Sequence, residues 1–214
     1  STLFPYTTLF RSDEYLRSQI EDVRAMLEIA EKADPSIPAA HYNMARYFIR
    51  NNNFESARRE LKTALDCFDK IEFRNKKNCY QEIDTCRLLG ELYAETREYL
   101  KAQEVYTRGI NLYQSENEST GFEGDKNTGL LYADMGDIEY FISGDMDAAL
   151  KNYENSILNK NDTASLNYRI GAIRYNNQEY DKALASFIKA FETQSSDINL
   201  LLSLGNVLSL REIG

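Results

Sequence analysis

Residues 86–110, CRLLGELYAETREYLKAQEVYTRGI, decide the fold, because residues 167–191, NYRIGAIRYNNQEYDKALASFIKAF, repeat their pattern. In each, an apolar–glycine pair is followed twelve residues later by alanine, Gly90 to Ala102 and Gly171 to Ala183. Four residues beyond the alanine stands an aromatic (Tyr106, Phe187), and three beyond that a small residue (Gly109, Ala190). Residues 41–65, HYNMARYFIRNNNFESARRELKTAL, repeat it with Ala45, Ala57, Leu61 and Ala64. Residues 132–157, YADMGDIEYFISGDMDAALKNYENSI, do so with Gly136, Ala149, Tyr153 and Ser156, but with a glycine-to-alanine gap of thirteen. The extra residue is placed most simply in the turn around Ser143–Gly144. Two helices of about 14 residues joined by a tight polar turn explain the spacing: small residues on facing surfaces let backbones approach, and aromatics fill the remaining space. The candidate turns, NNN at 51–53, TRE at 96–98, SGD at 143–145 and NNQE at 176–179, carry suitable chemistry. One such pair cannot bury its apolar faces alone, so the pairs must stack.

Composition agrees. The 214 residues are 43% hydrophobic and 28% charged, with only 10 Gly and 3 Pro, which favours helix over a turn-rich β fold. The net charge of -9 argues against a nucleic-acid partner, whose phosphates need a basic footprint, and against adsorption to anionic membranes. No apolar run reaches the ~18 residues of a membrane-spanning helix. Cys67, Cys79 and Cys86 are odd in number and form no C-x-x-C, so they read as buried thiols and slightly favour a reducing, cytoplasmic setting.

The pattern resembles the tetratricopeptide repeat family, whose signature is W-x2-L-G-x2-Y, then A-x3-F, then P. The best match is Cys86-x2-Leu89-Gly90-x2-Tyr93 followed by Ala102-x3-Tyr106-x2-Gly109. Tyr132-x2-Met135-Gly136, Asn167-x2-Ile170-Gly171 and Leu201-x2-Leu204-Gly205 follow it, and His41-x2-Met44-Ala45-x2-Phe48 precedes it with Ala standing for Gly. A half unit, Val23-x3-Leu27-x2-Ala30, closes at Asp34-Pro35, the family's usual boundary. The resemblance implies an all-α solenoid of antiparallel helix pairs, about ten helices wound as a right-handed superhelix. It divides the chain into a half repeat at 13–37, full repeats at 38–82, 83–128, 129–163 and 164–197, and a truncated repeat at 198–214.

The departures are informative. No unit has tryptophan, and the closing proline stands in place only once. Gly136 to Gly171 is 35 residues and Gly171 to Gly205 is 34, near the family period, but Ala45 to Gly90 is 45 and Gly90 to Gly136 is 46. The surplus lies in EFRNKKNCYQE (72–82) and in SENESTGFEGDKN (115–127), the second read as a loop. Longer helices with extended connections resemble the long-repeat subgroup found in motor light chains and some bacterial regulators. Richness in Asn, Lys, Ile and Tyr points to an AT-rich bacterial genome as the source.

Chemistry is hard to place on this chain. His41 is the single histidine and stands where the family packs a large aromatic, so a structural role is expected and no metal site. No Ser or Cys has an evident His–Asp arrangement, acidic residues follow helical spacing, and DKNTG (125–129) lacks the spaced ligands of a calcium loop. No glycine-rich phosphate cradle occurs. The expectation is a non-enzymatic chain without cofactor. In the family, the first helix of each pair lines a concave groove that takes a peptide or protein segment. Carried over, the resemblance names Tyr42, Asn43, Arg46 and Arg50, then Asp84, Arg87, Glu91 and Glu95, then Asp134, Asp137, Tyr140 and Phe141, and last Tyr168, Arg169, Tyr175 and Asn176. Tyr and Arg suit binding hot spots. The competing reading is a solvated groove whose Arg and Asp/Glu pair with each other. Tyr42 and Arg46 replace the lysine and asparagine of the family's chaperone-tail clamp, so that partner is not expected. A regulatory array serving an effector domain outside this sequence is the alternative function.

Residues 1–12, STLFPYTTLFRS, lack an acidic group and helical periodicity, and also the basic n-region and apolar core of a signal peptide. They resemble the in-frame translation of a widely used sequencing adapter, and EIG (212–214) resembles the start of the opposite one. The expectation is a fragment, native from 13 to about 211, with residues 1–12 dispensable. Its last helix would leave Leu201, Leu204 and Leu208 facing water and promote self-association.

Overall fold

A computed structural model of the chain describes residues 22–194 and 197–211, and among these every regular element is helical. Residues 1–12 and 212–214 lie outside them. The elements are α1 (22–33), α2 (Pro38–Arg50), α3 (Phe54–Phe68), α4 (Lys76–Glu95), α5 (Tyr99–Thr120), α6 (Lys126–Ile138) with a π turn at Glu139–Ser143, α7 (Met146–Leu158), α8 (Ala164–Asn176), α9 (Tyr180–Thr193) and α10 (Ile198–Arg211). The chain divides into two compact units at Arg74/Asn75. Within the second, α4 pairs with α5, α6 with α7 and α8 with α9, while α6 packs on α4 and α5, α7 meets α8, and α10 lies on α9 and α8. The all-α fold of antiparallel helix pairs is thus present.

Local chemistry sets the helix ends. Pro38 opens α2, where its missing N–H is harmless. Asn53, Asn75, Asp125, Asp145 and Thr163 each accept from a backbone N–H in the first turn of the helix that follows. In the first unit, Ala40, Met44 and Ala45 of α2 bury against Ala57, Leu61, Ala64, Leu65 and Phe68 of α3.

The glycines mark where helices nearly touch. A Cβ on Gly90 would lie 2.1 Å from Tyr106 Cε1, on Gly136 2.8 Å from the Tyr153 ring, and on Gly171 2.6 Å from the Phe187 ring. Each aromatic of a second helix therefore rests directly on the glycine of its first helix. The first unit has a different solution, Ala45 with Leu61, both fully buried.

Two sequence expectations need correcting. The stretch 115–127 is mostly not a loop: α5 runs through Thr120 and stops at Gly121, whose φ of 61° supplies the left-handed stop. The polar run before it has no glycine or proline to break a helix. The connection is only residues 121–125, pinned by a fully buried Phe122 edge-on to Tyr80 and Tyr113.

The extra residue between Gly136 and Ala149 is not in the turn either. In the other three turns, Asn53, Glu98 and Glu179 send their N–H back five residues, to the carbonyls of Phe48, Tyr93 and Arg174. Asp145 reaches back six, to Glu139. The left-handed residues, Asn52, Arg97, Gln178 and Gly144, each sit one place before the next helix's cap, so the turn itself is unchanged. The surplus residue is absorbed upstream, in the π turn.

On α10, Leu200 and Val207 bury against Ala183, Phe187 and Ala190 of α9, and Leu204 packs partly on the same cluster. Leu201 and Leu208 are 47% and 48% exposed. None of the described helices is long and apolar enough to cross a membrane.

Candidate functional site

The wide end of the α4–α6 pairing holds a cavity of about 480 Å³. Glu91, Ala94 and Glu95 of α4 form one wall, Tyr99 and Tyr106 of α5 the floor, Asp134, Asp137 and Ile138 of α6 the other wall. Phe141 and Ile142, both within the π turn, make the rim and stand 60% and 50% exposed.

Its electrostatics are dominated by carboxylates. Arg87 donates to Asp84 at 2.8 Å and to Glu91 at 2.5 Å, and its side chain is only 13% exposed. Arg169 of α8 is ion-paired with Asp137, which also accepts from the Tyr153 hydroxyl at 2.9 Å. The Arg169 guanidinium lies 5.3 Å from the Phe141 ring centroid. Asp134 Oδ2 is buried without a hydrogen-bond partner. Burial, with Glu91 adding and Arg87 opposing, pushes Asp134 up to about 7. Burial also raises Glu91 against the pull of Arg87, and Asp137 against that of Arg169.

Of the residues the sequence singled out, Arg87, Glu91, Asp134, Asp137 and Arg169 come together here. Tyr168 and Tyr175 do not: they pack in the α8–α9–α10 cluster, Tyr168 5.6 Å from the Phe187 ring and Tyr175 5.8 Å from Tyr180. Tyr42, Asn43, Arg46 and Arg50 belong to α2 in the first unit. Asn43, Arg46 and Arg50 are exposed, whereas Tyr42 is buried with the Arg46 guanidinium 5.5 Å from its ring centroid. Tyr99, Tyr106, Ile138 and Ile142 were not singled out. Phe141 of the rim was singled out, and the gap of thirteen was the signal available for Ile142 beside it.

His41 joins three helices of the first unit. It is buried, its Nδ1 lies 2.9 Å from Glu60 of α3 and 3.5 Å from Glu31 of α1, and its Nε2 lies 2.9 Å from the Pro35 carbonyl. Single ligand atoms of Glu31, His41 and Glu60 lie within 4.8 Å of one another, close enough to share a metal ion. The carbonyl requires an N–H on Nε2, and an imidazolium satisfies the carboxylates with a second. Burial works against that charge, but the hydrogen bonds and the acidic neighbours prevail and raise the His41 pKa. A raised folded pKa gives stability that is full below the free histidine value of about 6.5 and is lost as pH rises through the folded value. Wild type should therefore lose melting temperature between pH 6 and pH 9 by more than His41→Gln does. Parallel pH curves would show that His41 is neutral in the fold.

Comparison with known proteins follows this geometry. The family model described as tetratricopeptide repeat matches residues 16–70. No curated protein matches the chain. Among solved structures, PilF of Pseudomonas aeruginosa is similar at a TM-score of 0.64 and 18% identity, over 92% of this chain and 79% of that one. BtubC from P. vanneervenii gives 0.63 and 16%, over 91% and 83%. The C-terminal part of a TPR repeat-containing protein from Cytophaga hutchinsonii gives 0.56 and 16%, over 95% and 71%. At these identities the likeness speaks to fold.

Proposed function

We propose that the chain is a tetratricopeptide-repeat scaffold, in keeping with the family model over residues 16–70 and the fold it shares with PilF, and that it holds a segment of a partner protein in the groove between α4 and α6. The observation that carries this is the rim: Phe141 and Ile142 stand exposed together at the mouth of a cavity walled by two first helices. Large apolar side chains beside a concavity are what a docking segment covers.

A photocrosslinking amino acid at position 142 tests this in the source cell. It should capture a discrete partner, and the same group at exposed Lys151 on α7 should not. Phe141→Ser with Ile142→Ser should weaken that partner at least about tenfold, the size of one modest hot spot, with the melting temperature held. Capture from position 151 alone, or unchanged affinity in the double variant, would move the binding surface elsewhere.

A further inference from the structure

We propose that the cavity between α4, α5 and α6 is a receptor for one basic side chain, lysine or arginine, of the bound segment. The proposal rests on the groove reading and names what the groove selects. Its described lining includes four carboxylates, Glu91, Glu95, Asp134 and Asp137, and no basic group. The nearest cations are spoken for: Arg87 lies between Asp84 and Glu91, and Arg169 on Asp137. Acidic or phosphorylated ligands are repelled by such a site, and a cation completes it.

The apolar half of the lining fits the same guest. Ala94, Ile138, Phe141, Ile142 and the rings of Tyr99 and Tyr106 line the remaining surface. Lysine and arginine lay their methylene stems on such surfaces and keep the charge at the tip, and a cation is further attracted to aromatic faces. The volume of about 480 Å³ lies within the range of small-ligand pockets, leaving room for a residue flanking the basic one.

Asp134 gives the proposal its direction. It is a carboxylate whose Oδ2 is buried and unpartnered, and burial holds it half-protonated near neutrality. Guest entry supplies the missing charge and expels that proton. The groups facing it are Glu91, Arg87 and Glu95 from α4, Tyr106 from α5, and Asp137 from α6 with Arg169 behind it. Affinity for a cation therefore rises as pH increases through about 7. Without a guest the sign is opposite: a carboxyl whose folded pKa is raised loses stability as pH climbs from its free value toward the folded one. Asp134→Asn should then raise the melting temperature at pH 8 and leave it little changed at pH 3.5.

The test is an amide-resolved NMR titration of the chain with N-acetyl-arginine amide, and with N-acetyl-lysine amide. N-acetyl-citrulline amide serves as the neutral isostere. The cationic probes should shift the amides of Ala94, Tyr99, Asp134 and Ile138 at millimolar concentration, more tightly at pH 8 than at pH 5.5, while citrulline should not. Asp134→Asn should weaken the arginine probe about tenfold, as expected for one charge-assisted contact, with the fold retained. Equal shifts from citrulline, no pH dependence, or no response at these amides would each overturn the proposal. If position 142 still captures a partner in that case, the groove reading stands and its cation preference falls. If neither responds, both fall.

Discussion

Gly90→Leu should separate α4 from α5 and lower stability by about 3 kcal/mol or more, the upper end of overpacking. The Tyr106 ring sits where the first side-chain atom would go, 2.1 Å away, and is itself 1% exposed with no direction in which to swing. For a domain of this size such a loss lowers the melting temperature by roughly 6–12 °C. The first unit suggests the rescue, because it carries Ala45 and Leu61 at the corresponding positions, both fully buried. Gly90→Ala should be destabilising alone, and Gly90→Ala with Tyr106→Leu should recover a large part of the loss. Thermal melts of the four variants make a cycle with a coupling term. Additive effects would mean that Gly90 and Tyr106 do not face each other.

Gly129→Ala should cost about 2–3 kcal/mol, against the sign that helix propensity gives. Alanine inside a helix ordinarily gains about 1 kcal/mol over glycine. Here the added methyl would meet the Asn159 carbonyl oxygen at 2.6 Å and that of Ser156 at 2.9 Å. Both are backbone atoms at the end of α7, and the Ser156 carbonyl already accepts from Asn161 N. The Gly129 carbonyl in turn accepts from the buried Ser156 hydroxyl at 2.7 Å, which Asn161 also contacts at 2.9 Å. Pushing α6 away breaks this buried polar set, leaving groups without partners. Gly205→Ala is the control, since its Cβ would meet nothing within 4 Å. Denaturation should show loss for position 129 and a small gain for position 205. Gains at both would refute the close packing of α6 on α7.

Much of this was legible because close helix packing leaves a fixed trace. Gly90, Gly136 and Gly171, each with an aromatic at a constant offset, could be read without coordinates. SENEST could not: polar residues without an apolar period look alike in a loop and on an exposed helix, and only Gly121 marks where α5 stops. The family resemblance pointed to the groove face of each first helix, and helical spacing kept Arg87, Glu91, Asp134 and Asp137 together on it. Tyr168 and Tyr175 lie apart from them, partly buried against the α8–α9–α10 cluster. Neither signal could find Tyr99, which reaches the cavity from the start of a second helix.

The π turn bears on how such a chain can change. One residue added to an α-helix rotates everything beyond it by about 100° and would scramble every later pairing. Here the disturbance ends within Glu139–Ser143, and Tyr153 still meets Gly136. Insertions at this place are therefore buffered: they remodel the mouth of one cavity while leaving the downstream phase untouched. The shape of that mouth and the packing of the later helices become separately mutable, and a single-codon indel is enough to change one without the other.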